Sequence, residues 1–195
     1  MRRFLKFIAV GSFFATVEEF LTVVVLRRDV ASYLFTLVVL FPAFLAFVWA
    51  SSRLLDRLAR RQPTRELLHF LCYGLVGLLI EWFLIGLAPW SDPNAHPALM
   101  LLFQLGMFSF WATVAFAPRL FLTPGELSRR ARRAILTFYV PYFLAVYVVA
   151  LSIPARWKFG AVIALIVFGY LTLNGFYLAY FVRSFRQGRR PGSPG

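Results

Sequence analysis

Phe7-x3-Gly11-x6-Glu18-x-Phe20-Leu21 is followed 63 residues later by Phe70-x3-Gly74-x6-Glu81-x-Phe83-Leu84. Each glutamate sits at the same depth of an apolar run, which points to a duplicated unit. A carboxyl group in hydrocarbon costs roughly 2.5–3.5 kcal/mol on insertion scales, so such residues are functional candidates by default.

The surrounding sequence extends those runs into membrane spans. Apolar stretches of about 20 residues, enough to cross a hydrocarbon core, fall at roughly 4–26, 30–51, 67–88, 98–118, 134–153 and 159–182. The 195-residue chain is 61% hydrophobic and 18% aromatic, with a mean hydropathy of +0.73. Soluble domains hold about 45–50% apolar residues. The expected fold is all-α and polytopic, with six transmembrane helices in three hairpins, the first two forming a repeat.

A net charge of +13 raises nucleic acid as a partner, but the placement of the charge argues against it. Of 21 basic residues, 17 precede the first span or follow the second, fourth and sixth. Only Arg27, Arg28, Arg156 and Lys158 fall opposite. The positive-inside rule then places both termini in the cytoplasm, in a cell inner membrane. Anionic head groups account for the basic loops, and no soluble module carries a basic face interleaved with aromatics. Membrane lipids are the expected partners.

The basic start before an apolar run imitates a signal peptide. Glu18 and Glu19 interrupt the run and no cleavage site follows, so a retained first helix is expected. Cys72 stands alone, which removes any intrachain disulfide, CxxC pair or thiolate cluster.

The hairpins cover about 1–58, 65–122 and 132–185 within one domain, 1–185, and residues 186–195 read as a disordered basic tail. The returning helices reach Arg53, Arg119 and Arg183. In the first two hairpins they align at an offset of 62, Phe41 with Phe103, Trp49-Ala50 with Trp111-Ala112, and Arg57-Leu58 with Arg119-Leu120. Parallel repeats of this kind occur in transporters. Thr123-Pro124-Gly125-Glu126 matches a capping box, with Thr123 as N-cap of an amphipathic helix through Arg129–Arg133. Ser91–Pro97 forms the one substantial external loop, and Tyr33, Trp82, Trp90 and Trp157 lie where aromatic belts form.

Small and polar residues form stripes. Gly11, Ala15, Glu18 and Thr22 share a face of the first helix, and Gly74, Gly77 and Glu81 a face of the third. Gly106, Ser109 and Thr113 do the same on the fourth, with Gln104 nearby. Such stripes either pack helices closely, with polar residues bonding across the interface, or line a cavity. In the second case Glu18 and Glu81 lie about 14 residues, or roughly 21 Å, beyond the cytoplasmic helix ends, suited to proton coupling or cation binding. Glu19 points about 100° away from Glu18. Tyr170, Asn174 and Tyr177 on the sixth helix, with Tyr139, Tyr142 and Tyr147 on the fifth, supply hydroxyls where the other hairpins supply carboxyls, or serve only as interhelical bonds. Pro42 and Pro141 are candidate kinks.

Catalytic patterns are incomplete. Glu18-Glu19 resembles the glutamate pair of intramembrane CAAX-type proteases, E-E-x3-R, but position 23 is Val, and His69 and His96 lie near span ends. The Pro-x-Glu-Glu of carotenoid cyclase-type enzymes is also missing. Two distant histidines make no metal cluster or Ser/His triad, and the sequence implies neither catalysis nor a cofactor.

Arg3-Phe4-Leu5-Lys6-Phe7 with Gly11, Leu68-His69-Phe70 with Gly74, and the closings Ser52-Arg53 and Pro118-Arg119-Leu120-Phe121 resemble the GtrA-like family over residues 3–122. That family's hairpins open with R-F-L-x-F-x-x-x-G and close with an aromatic and Asn-Arg. Ser52 and Pro118 stand here for the asparagines, and the third hairpin is additional. The resemblance implies binding and translocation of a lipid-linked or amphipathic molecule, with Arg53 and Arg119 available to phosphate.

The leading expectation is a small transporter or flippase-like protein whose intramembrane site contains Glu18, Glu81, Thr22, Gln104, Ser109, Thr113, Tyr170, Asn174 and Tyr177. The alternatives are a membrane-embedded assembly subunit, bound to a partner membrane protein or to its own copies, and an intramembrane lipid- or isoprenoid-modifying enzyme.

Overall fold

Backbone polar groups in hydrocarbon must be bonded within the segment, so an apolar chain of this length resolves into helices. The structure, a computed structural model, describes residues 1–59, 61–91 and 96–187. Those residues form no strand. Six helices are long and apolar enough to cross a membrane: α1 (Arg2–Leu26), α2 (Val30–Leu58), α3 (Gln62–Ile85), α4 (Pro97–Leu122), α5 (Glu126–Ser152) and α6 (Ala155–Gln187). The chain is that of a multi-pass membrane protein.

The helices outrun the apolar stretches at their arginine-bearing ends. Nothing in Arg53–Leu58 breaks a helix, and α2 continues to Leu58. Likewise α6 passes Arg183 and includes Arg186 and Gln187. The remainder of the expected tail, 188–195, lies outside the described residues, as do positions 92–95 of the expected external loop.

Three helices widen locally into π-helical turns, at Phe20–Leu26, Thr36–Leu40 and Glu81–Ile85. The second has a direct cause. Pro42 has no N–H for the Val38 carbonyl and its ring would crowd that group, so the preceding turn opens. Pro141 lies within α5 without interrupting it.

The turns after α1 and α3 share a closure. Gly86, at φ 82°, lets the Leu87 N–H reach back to the Glu81 carbonyl at 2.9 Å. After α1 the same reversal falls on Arg28, at φ 59°, with the Asp29 N–H on the Val23 carbonyl at 3.0 Å. Asp29 then caps α2, accepting from the Ser32 N–H at 3.0 Å and the Ser32 hydroxyl at 2.6 Å. Those bonds hold the Asp29 carboxyl below the usual range.

One capping expectation is overturned. Thr123 does not cap α5, because its hydroxyl donates to the Arg119 carbonyl at 2.9 Å and so finishes α4. Gly125, at φ 115°, precedes the first residue of α5, and Glu126 pairs with Arg129 and Arg130 in the first turn.

Helix α4 is the centre of the assembly. Of its most apolar window 61% is buried, against 22–39% for the other five helices, and it packs on α1, α3 and α6. The glycines mark the closest approaches. A Cβ at Gly11 would overlap Leu45, at Gly74 the Phe108 ring, at Gly77 Trp111, and at Gly106 Val167. These small residues are therefore seats for side chains of the same chain.

Candidate functional site

The two glutamates meet. Glu18 from α1 and Glu81 from α3 line the same two connected spaces, of about 110 and 60 Å³, at the end of the bundle where α1 and α3 finish and α4 and α6 begin. Thr22 borders the larger space and Tyr170 the smaller. Glu19 and Arg27 also border the larger one, and Glu19 lies against Thr36 of α2 as well. Both widened turns begin beside these carboxyls, at Phe20 and at Glu81 itself. Turns of this kind concentrate at functional sites. In α1 the Thr22 hydroxyl spans the Glu18 and Glu19 carbonyls at 3.2 and 3.4 Å.

The two carboxyls differ in their bonding. Trp111, seated over Gly77, donates its indole N–H to Glu81 Oε1 at 2.9 Å. Glu81 lies four residues beyond Gly77, one turn along the same face, which is why the ring that fills the glycine seat reaches it. The Glu18 carboxyl has the Thr22 hydroxyl beside it, but that hydroxyl donates to the Glu18 and Glu19 carbonyls. Tyrosines of the third hairpin brace α1 beside it. The Tyr139 and Tyr170 hydroxyls donate to the Phe14 carbonyl at 2.9 and 3.3 Å, and Tyr147 donates to that of Val17 at 2.8 Å.

The remaining expected site residues lie apart from this cavity. Gln104 accepts from the Trp82 indole at 2.7 Å and donates to the Leu87 carbonyl at 3.1 Å, tying α4 to α3 and to the turn after it. Asn174 donates to Ser109 across the α4–α6 interface. Thr113 Oγ1, Asn174 Oδ1 and Tyr177 Oη are buried without hydrogen-bond partners in that interface. These four join α4 to α6 deeper in the bundle.

At the opposite end lies a second polar cavity, of about 290 Å³, where α1 and α3 begin and α2 and α4 finish. Arg3, Arg65, Arg119, His69 and Glu66 contribute its charged and ionisable groups. Arg119 donates to Asp56 at 2.7 Å and to His69 Nε2 at 2.8 Å. Since Nε2 accepts there, its 3.3 Å approach to Asp56 is a contact and not a second bond. Glu66, 2% exposed, accepts from Tyr180 at 2.8 Å and from Gln62 at 3.1 Å. Arg53 is exposed on α2 and does not line this cavity.

Sequence reasoning missed Asp56, Glu66 and Trp111. A signal was present for one pair, since Asp56 and Arg119 are themselves 63 residues apart, but opposite charges at a repeat offset do not announce a contact. Among the described residues no three His, Cys, Asp or Glu side chains converge as a metal-binding group. Set beside protein-family models, curated proteins and solved structures, the chain matches none. Fold and cavities together define an all-helical, multi-pass membrane protein with polar spaces of opposite charge at its two ends.

Proposed function

We propose that the chain is a small inner-membrane transporter or flippase-like protein for a lipid-linked or amphipathic molecule, with Glu18 and Glu81 in its binding or coupling site. The observation that carries this is the convergence of two carboxyls from separate hairpins on one cavity. A pair of purely structural glutamates would each be consumed by bonds, and Glu18 is not. Both termini lie in the cytoplasm, on the side where the arginines concentrate. The cavity of Arg3, Arg65 and Arg119 then faces the cytoplasm and suits a phosphate-bearing head group. This agrees with the GtrA-like resemblance, with Arg119 lining the cavity and Arg53 exposed nearby on α2.

An assembly subunit is the second candidate, through its small-residue stripes. Those stripes are occupied internally, since Phe108 and Trp111 fill the Gly74 and Gly77 seats, and this favours transport. Reconstitution in vesicles tests the choice. Glu18→Gln and Glu81→Gln should abolish substrate movement while the protein stays folded. Native mass spectrometry of gently solubilised protein adds the ligand class, because a retained lipid should vanish in the double variant. Unaltered transport in both variants would sink the assignment.

A further inference from the structure

An apolar groove adjoins the carboxyl cavity on its α4–α6 side. A groove of about 620 Å³, lined almost wholly by apolar side chains, runs between α4 and α6. It shares Phe103, Ile163 and Val167 with the spaces that Glu18 and Glu81 line. Gly160 and Ala164 keep its α6 wall low, and a Cβ at Gly160 would meet nothing within 4 Å. Gly106, pressed against Val167, brings the helices together and closes the inner end.

At that inner end Glu81 is only 8% exposed, yet one oxygen alone is bonded, Oε1 to Trp111. Its Oε2 has no donor among the described residues, and the Thr22 hydroxyl beside the Glu18 carboxyl donates to carbonyls instead. Three carboxyls and a single guanidinium, that of Arg27, border the space. Acidic groups outnumber basic ones there, which favours a partner that brings hydrogen-bond donors and positive charge.

We propose that groove and cavity together bind a single-chain amphipath ending in a primary ammonium group. The chain lies between α4 and α6, and the ammonium donates to Glu18 and Glu81 Oε2. This names the cargo of the transporter assigned above and rests on that assignment. An ammonium brings three donors and the opposite charge. A phosphate brings only acceptors and like charge, so it is turned away here and suited to the arginine cavity at the other end. A neutral hydroxyl supplies one donor and no charge. The space of about 110 Å³ admits a small head.

Calorimetric titration of the full chain in neutral-lipid nanodiscs, with empty discs as background, tests this using dodecylammonium, dodecanol and dodecyl phosphate. Dodecylammonium should bind saturably, at least tenfold more tightly than dodecanol, without competition from dodecyl phosphate. Glu18→Gln and Gly160→Leu should each weaken it at least tenfold. The Thr22 hydroxyl beside the Glu18 carboxyl donates to carbonyls, and Gly160 has open space beside it, so both variants keep the fold. Equal affinity for dodecanol, competition by dodecyl phosphate, or unchanged binding in both variants would overturn the proposal. Parallel vesicle assays separate it from the transport assignment. Saturable ammonium binding without translocation supports the site and removes the transporter. Movement of a phosphate-headed lipid with no ammonium binding overturns the site and leaves the transporter standing.

Discussion

The first two hairpins carry the same glutamate and treat it differently. In the second, Gly77 leaves room for Trp111, whose indole bonds Glu81. In the first, the position 63 residues earlier than Gly77 is Phe14, fully buried, so no ring can settle there. The tryptophan that aligns with Trp111 is Trp49, and it packs edge-on against Phe4 and Phe7 near the arginine cavity. One glutamate is held and the other left free. A pair of carboxyls in one cavity thus acquires a fixed member and an open one, through a single glycine-to-phenylalanine difference.

The sharpest way to break this comparison is to fill the glycine seats. Gly77→Val would drive a side chain into Trp111 close to its backbone, and should destabilise by about 3 kcal/mol. Gly11→Val meets only the flexible end of Leu45 and should cost about 1 kcal/mol. Reversible unfolding in mixed micelles measures both. Equal losses would mean that the two seats are equivalent after all.

Removing the indole donor comes next. Trp111→Phe leaves Glu81 without its bond and should cost about 2 kcal/mol, whereas Trp49→Phe, which breaks no hydrogen bond recorded among the described residues, should cost under about 1 kcal/mol. Glu81→Gln keeps an acceptor for Trp111 and should be milder than Trp111→Phe in the same assay. A Glu81→Gln protein less stable than Trp111→Phe would show that the charge, not the bond, matters there.

The turns that end α1 and α3 give a smaller contrast of opposite sign. Gly86→Ala places a side chain at φ 82° and should destabilise by about 1 kcal/mol. Arg28 already carries that strain at φ 59°, so Arg28→Gly should be neutral or stabilising by up to about 1 kcal/mol. Two losses in the unfolding assay would show that Arg28 makes a compensating interaction.

The smallest effect concerns the Asp29 cap of the first hairpin. Asp29→Ala should speed amide exchange over Val30–Phe35 and leave the rest of the bundle unchanged. The carboxyl titrates below its unfolded value near 3.8. Its contribution is therefore complete above that value and disappears as pH falls through the lower folded one. Wild type and Asp29→Ala should thus converge in exchange rate in strong acid and differ at neutral pH.

Much of the helical layout was legible because hydropathy is a local property. The apolar runs at 4–26, 30–51, 98–118 and 159–182 sit inside α1, α2, α4 and α6, those at 67–88 and 134–153 run slightly past α3 and α5, and arginine-rich sequence prolongs α2 and α6 beyond where hydropathy alone would stop them. The capping box failed because the Thr123 hydroxyl serves equally well at a helix end as at a helix start, and the backbone at Gly125 decided between them.

Helix number, the stripes of small residues and the depth of Glu18 and Glu81 were therefore determined by sequence alone, since each follows from spacing along one helix. Tertiary structure decided which stripes are packing seats, that the two carboxyls face one cavity, and that Trp111 bonds only one of them. It also gathered Asp56, His69 and Arg119, which belong to three helices. Those outcomes depend on how side chains of different helices interlock, and the buried Phe14, standing where the second hairpin has Gly77, separates Trp49 from the role of Trp111. No periodicity within a single helix encodes that interlocking.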